Sequence, residues 1–162
     1  MAELLNSDEI QKQLINMTKG INLRPIMADV GAVMLLSIED NIEEGGRYAP
    51  GDGAPGTPGA WTGGDQKFAP LGESTLKSKK RKGRDGGHIL QDTGRMMAAM
   101  DLDLTDSSAQ VTNNLVYFPH VTLGTKPGTI PHLEPRPVLV IQEEDIEEIG
   151  IIVSEFIERQ LK

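Results

Sequence analysis

RMMAAMDLDLTDSSAQVTNN, residues 95–114, changes its period half-way. Thr93 or Asp92 suits the N-cap of a short helix in which Met96, Met97 and Met100 supply soft apolar contacts. From Met100 the period becomes two: Met100, Leu102 and Leu104 alternate with Asp101, Asp103 and Thr105. That alternation is the mark of a half-buried strand. Asp106-Ser107-Ser108 makes a turn, and residues 109–112 return as a second strand. A hairpin in an otherwise helix-rich chain sets the fold class, because antiparallel strands need helices to cover their apolar face.

Upstream, residues 25–44 carry the clearest helical pattern. Pro25 suits the first helical position. Ile26, Val30, Met34, Ile38 and Ile42 recur every four residues, with Met27, Val33 and Leu35 beside them, and Gly45-Gly46 stops the run. An earlier helix is expected between Asn6 or Ser7, with Glu9 in a capping-box position, and Gly20; Ile10, Leu14 and Met17 form its stripe. Residues 45–64 hold eight of the eighteen glycines, with Pro50, Pro55 and Pro58. This composition predicts no regular secondary structure. Two readings follow for it: a surface loop, or a long arm that orders against a partner. Trp61, the only tryptophan, would anchor such an arm or fold back on its own subunit. Ser74-Thr75-Leu76 starts a short helix with lysines on its exposed side, ended by Gly83–Gly87.

Downstream, Asn113-Asn114 signals a turn and Leu115-Val116-Tyr117 a short third strand. Residues 119–137 read as loop, with five prolines, and Val138–Ile141 as a buried strand. A last helix starts near Glu143, where Glu143, Glu144 and Asp145 complement the helix dipole. Its apolar face is Ile146, Ile149, Val153, Phe156 and Ile157. The chain thus reads as a single α+β domain over residues 1–162. An antiparallel sheet of about four strands is packed by N-terminal and C-terminal helices, with a Gly/Pro-rich arm or loop at 45–66.

Composition narrows the function. With 162 residues the chain can bury about two-thirds of its unfolded surface. It has no cysteine, which excludes disulfide scaffolds, cysteine-based zinc sites, iron–sulfur clusters and thiol catalysis. The start MAELLNSDE lacks the basic region of a signal peptide, and the longest apolar stretch, 26–36, contains Asp29 and is too short to span a bilayer. A soluble protein made in a reducing cytoplasm, with no membrane contact, is expected. The net charge is −8, yet residues 77–84, KSKKRKGR, carry six basic groups and no acid. The rest of the chain holds ten basic and twenty-four acidic residues, a net −14. An acidic body therefore bears one concentrated basic segment.

No catalytic constellation is evident. His88, His120 and His132 lack helical i, i+4 spacing, and there is no phosphate-binding loop or nucleophile elbow. Glu143-Glu144-Asp145 reads as a solvated helix start. No cofactor or metal is expected. The basic run has three readings: a solvated loop, a phosphate-contacting surface with salt-dependent affinity, or a surface that docks on an acidic protein face. That face could belong to the next copy in a homo-oligomer. No aromatics interleave the lysines, so base stacking is not indicated.

Three segments in order, FAPLGESTLKSKKRKG at 68–83, HILQDTGRMMAAM at 88–100 and YFPHVTLGTKPGTIPHLEPRPVLV at 117–140, resemble the phage virion morphogenesis family, the tail completion proteins of Mu-like and related tailed phages. The matching positions are Pro70-Leu71, Ser74-Thr75-Leu76 and the lysines; Ile89-Leu90 and Thr93-Gly94-Arg95; Tyr117, His120 and Gly124; and Ile130-Pro131, Pro135-Arg136-Pro137 and Leu139. The resemblance covers about residues 23–160. Val121-Thr122-Leu123 stands where the family favours Gln-Phe, His132-Leu133-Glu134 is inserted before the Arg-Pro segment, and the 45–64 stretch is longer. The resemblance implies a structural role without catalysis at the phage neck, in a ring that completes the tail or joins it to the head. A tail terminator, or a nucleic-acid-binding module using residues 77–84, is the alternative. Implied partners are further copies of the chain and neighbouring neck, connector or tail-tube proteins, with viral DNA passing through the ring. The candidate interaction residues are Trp61, Lys77, Lys79, Lys80, Arg81, Lys82, Arg84, Arg95, His120 and Arg136. Arg136, held between two prolines, is expected to hydrogen-bond backbone or a carboxylate, within or between subunits.

Overall fold

Helix α1, Arg24–Glu43, organises the molecule. Pro25 stands in its first turn, where a missing N–H costs nothing. Along its ~30 Å length it serves two apolar clusters. The computed structural model describes residues 22–54, 57–84, 89–125, 128 and 132–160. The helix expected between residues 6 and 20 lies outside them.

The first half of α1 buries Ile26, Met27 and Val30. They pack on Leu104 and Ala109 of a hairpin and on Ile149, Ile152, Val153 and Phe156 of the last helix. The second half buries Ile38 and Ile42 with Met96, Phe118 and Val138. The hairpin is β3, Met100–Leu104, and β4, Ala109–Asn113, antiparallel with Leu102 opposite Val111. Its alternating inner residues face α1 and the acids and threonines face outward, as the period of two predicts. The last helix, α5, spans Glu143–Gln160. Two shorter helices, α2 (Glu73–Arg81) and α3 (Arg95–Ala98), also fall where the sequence places them.

Five expectations need correction. The strands do not form one sheet of about four; among the described residues there are two separate two-stranded sheets. The second of them lies inside the Gly/Pro-rich stretch that was expected to be irregular. There β1, Tyr48–Pro50, pairs antiparallel with β2, Trp61–Gln66, across a bulge between Tyr48 and Ala49. Gly51 and Gly53 donate to the carbonyls of Ala60 and Gly59 and prolong the ladder toward a 3-10 turn at Pro58–Ala60. Aromatic contact holds the hairpin: Tyr48 meets Trp61 edge-on at 5.4 Å and stacks on Phe68 at 5.9 Å. The described residues of 45–66 therefore carry a packed hairpin.

Leu115–Tyr117 is a turn rather than a third strand, and it leads into a helix, α4 (Phe118–Leu123), within what reads as loop. Pro119 lies in the first turn of that helix and so does not break it. Val138–Ile141 is not a strand either. Val138 and Val140 are buried and Leu139 is exposed, so the alternation is strand-like, but among the described residues no strand pairs with the segment. The side chain of Asn41 replaces one: its amide donates to the carbonyls of Pro137 and Val138, each at 2.9 Å.

Candidate interaction surfaces

The basic segment folds as α2, and its helical period divides the cations between two faces. Thr75, Ser78, Lys79 and Lys82 line a groove of about 390 Å³. Arg95, Thr93 and Tyr117 close its other side. Lys79 is buried and donates to the carbonyl of Gln91 at 3.3 Å, so this lysine has a structural attachment. Leu76, Lys77, Lys80 and Arg81 lie on the other face and are exposed. Lys77 pairs with Glu73 one turn earlier, and Arg84 pairs with Asp92 at 2.7 Å. Among the described residues Lys80, Arg81 and Lys82 have no ion-pair partner. The structure thus brings Arg95 to the basic run and separates the run into a groove side and an outward side.

The other candidates lie elsewhere. Trp61 opens β2 half-buried and helps line an apolar pocket of about 210 Å³ with Phe118, Pro119, Pro137 and Leu139. Its Nε1 is buried without a hydrogen-bond partner, as is Oγ1 of Thr122 in the same pocket. Arg136 donates from Nη2 to the carbonyl of Ala69 at 3.2 Å, and its backbone N–H bonds the carbonyl of Val121. Burial pushes the pKa of its guanidinium down, while Glu134 and Tyr48 pull the other way. His120 stands exposed on α4.

Opposite in charge to α2 is α5, whose sequence shows an apolar stripe and an acidic start. No residue of α5 is buried. Glu144, Glu147, Glu148, Ile151, Glu155 and Glu158 fall on one face at i, i+3 and i+4 spacing. That spacing was available in the sequence, masked by the neighbouring isoleucines. Its first turn is not simply solvated. Asp145, the third residue of the helix, accepts from the backbone N–H of Gln142 at 2.9 Å, half of a capping box, and from the hydroxyl of Ser37 on α1. Glu144 pairs with Arg47. Its own backbone amide and Arg47 hold the Glu144 carboxyl below the usual carboxylate range. Burial lowers the pKa of Arg47, but the Glu144 hydrogen bond and the charges of Glu144, Glu44 and Asp145 outweigh this and raise it. Gln142 adds a bond from its side-chain amide to the carbonyl of Arg47 at 2.6 Å. The start of α5 is therefore pinned to the end of α1, and the acidic face is presented in a fixed orientation.

Among the described residues, no group of three or more histidine or acidic side chains is placed to hold a metal ion, and no helix is long and apolar enough to cross a membrane. Neither the curated proteins nor the solved structures yield a match. Residues 5–158 match the Phage virion morphogenesis family, extending the resemblance toward the N-terminus. The chain belongs to this family and has a role in the structure or assembly of a phage virion.

Proposed function

We propose that the protein is a non-catalytic structural subunit of the phage neck, forming a homo-oligomeric ring that completes the tail or joins it to the head. One observation carries the reading beyond family membership: a single chain presents two unlike, oppositely charged helical faces, α2 and α5. A ring of identical subunits requires such a pair, because each copy must offer its neighbour a surface different from the one it receives. Further copies, and adjoining neck, connector or tail-tube proteins, are the partners, and no cofactor takes part. Assembly occurs in the host cytoplasm and viral DNA passes through the ring.

A tail terminator is the second reading, favoured by the same ring-forming surfaces. A nucleic-acid-binding module is supported by Lys80, Arg81 and Lys82, which have no ion-pair partner among the described residues, and opposed by the net charge of −8. Negative-stain electron microscopy of a lysate from phage lacking the gene separates these. Full heads beside separate tails of normal length are expected. Overlong or ragged tails would assign the terminator role, and normal infectious virions would remove both.

A further inference from the structure

We infer that the outward face of α2 docks on the acidic face of α5 of a second copy. The inference rests on the proposed homo-oligomer and names the surfaces that build it. The two faces match in chemistry as well as in sign. On α2, Lys77, Lys80 and Arg81 surround Leu76, which is 44% exposed. On α5, Glu147, Glu148, Glu155 and Glu158 surround Ile151, which is 57% exposed. Each helix thus offers one exposed aliphatic side chain among charges mostly of a single sign; on α2 the exception is Glu73, one turn before Leu76 and paired with Lys77. An apolar contact enclosed by complementary ion pairs is the arrangement that excludes water at a protein interface.

Among the described residues these two faces do not meet within one chain. Lys77 pairs with Glu73 of its own helix, Glu155 with Arg159 of its own helix, and among the described residues no ion pair links α2 to α5. The attraction therefore remains available to another molecule. Because the two surfaces differ, the contact is head-to-tail, and it repeats until the rotation closes a ring. The net −14 outside the basic segment makes unguided association of two acidic bodies unfavourable. The basic helix supplies the one attractive orientation. Exposed charges interact within a screening length, so association weakens as salt rises.

The test uses the full chain in two forms, one with Lys77→Glu, Lys80→Glu and Arg81→Glu, the other with Glu147→Lys, Glu148→Lys and Glu158→Lys. All replacements are good helix formers, and circular dichroism verifies folding. Sedimentation velocity at low and high salt reads the assembly. The wild type is expected to self-associate, each variant alone to lose this by roughly 100-fold or more, and the equimolar mixture to regain it, since each reversed face then meets its complement. Because the chain has no cysteine, Leu76→Cys and Ile151→Cys proteins mixed under oxidation give a second readout. A disulfide between unlike partners, and none in either protein alone, is expected even where association is weak.

Variants that assemble like the wild type would overturn the docking surfaces and leave the ring intact. A wild type that stays monomeric, with no mixed disulfide, would remove the self-association on which both rest. Retention of duplex DNA by the wild type, lost in the α2 variant without any change in assembly, would assign the basic face to DNA and overturn the inference.

Discussion

Asn41→Ala is expected to cost about 3–5 kcal/mol of stability, the largest effect of any single polar substitution in the described structure. Asn41 is fully buried at the end of α1. Its amide donates to Pro137 and Val138, and its Oδ1 accepts the backbone N–H of Arg47 at 2.6 Å. One side chain thus serves as the hydrogen-bonding partner of an unpaired extended segment and fixes the chain leaving the helix. Truncation strands the buried carbonyl of Pro137 and the half-buried N–H of Arg47, and leaves the Val138 carbonyl only the N–H of Val140 at 3.1 Å. Each stranded group costs about 1–3 kcal/mol, offset in part by relaxation. For a chain of this length the melting temperature should fall by roughly 10 °C. Asn41→Asp should do no better: it keeps the acceptor for Arg47 and aims a carboxylate at two carbonyl oxygens. Thermal and urea denaturation measure this, and a loss below about 1 kcal/mol would show that the Pro137–Val138 segment is held by other means.

Gly46→Ala is expected to detach the β1–β2 hairpin at a cost of about 3 kcal/mol or more. Gly46 has φ +117°, a conformation open in practice to glycine alone. A Cβ there would stand 2.4 Å from the backbone nitrogen of Phe68, which cannot swing aside. Phe68 N–H bonds the carbonyl of Gly45 at 2.7 Å, and Phe68 stacks on Tyr48, so the hairpin would lose both attachments together. Gly45→Ala is the comparison. Gly45 also has a positive φ, +73°, but a Cβ would meet nothing within 4 Å. Only backbone strain of about 1–2 kcal/mol is expected there. Trp61 emission and hydrogen exchange in 48–66 should change strongly for Gly46→Ala and little for Gly45→Ala, while protection in α1 persists in both. Equal effects would mean that the Phe68 contact does not govern the hairpin.

What the sequence made legible were the elements whose own period carries the signal. The four-residue stripe of α1 and the alternation of 100–104 reflect burial along one face, the acidic start of α5 reflects the helix dipole, and each is found where the pattern puts it. Elements held by long-range partners were not legible. Val138–Ile141 has the alternation of a strand, but its partner is the side chain of Asn41, ninety-six residues away from Pro137. The β1–β2 hairpin is hidden because glycine and proline dominate 45–64, whereas Tyr48, Trp61 and Phe68, at its margins, hold it together. Gly63 illustrates the point: its glycine is needed because a Cβ would lie 2.5 Å from the carbonyl of Ile141. The candidate residues were legible as a basic run, but not as two faces of α2. Which lysine turns inward depends on the groove formed with Arg95 and Tyr117. The complementary acidic face was written in the spacing of the glutamates on α5, yet its availability depends on what the fold leaves uncovered.

The role proposed for the protein is to complete the tail or join it to the head, late in assembly. It is tested most directly by adding purified protein to a lysate of phage lacking the gene and counting infectious particles. The account predicts that the titre rises by orders of magnitude over a buffer control, with joined virions visible by electron microscopy. A titre that stays at the buffer level, although plasmid-borne expression during infection restores it, would contradict the account and place the protein's action before heads and tails are complete.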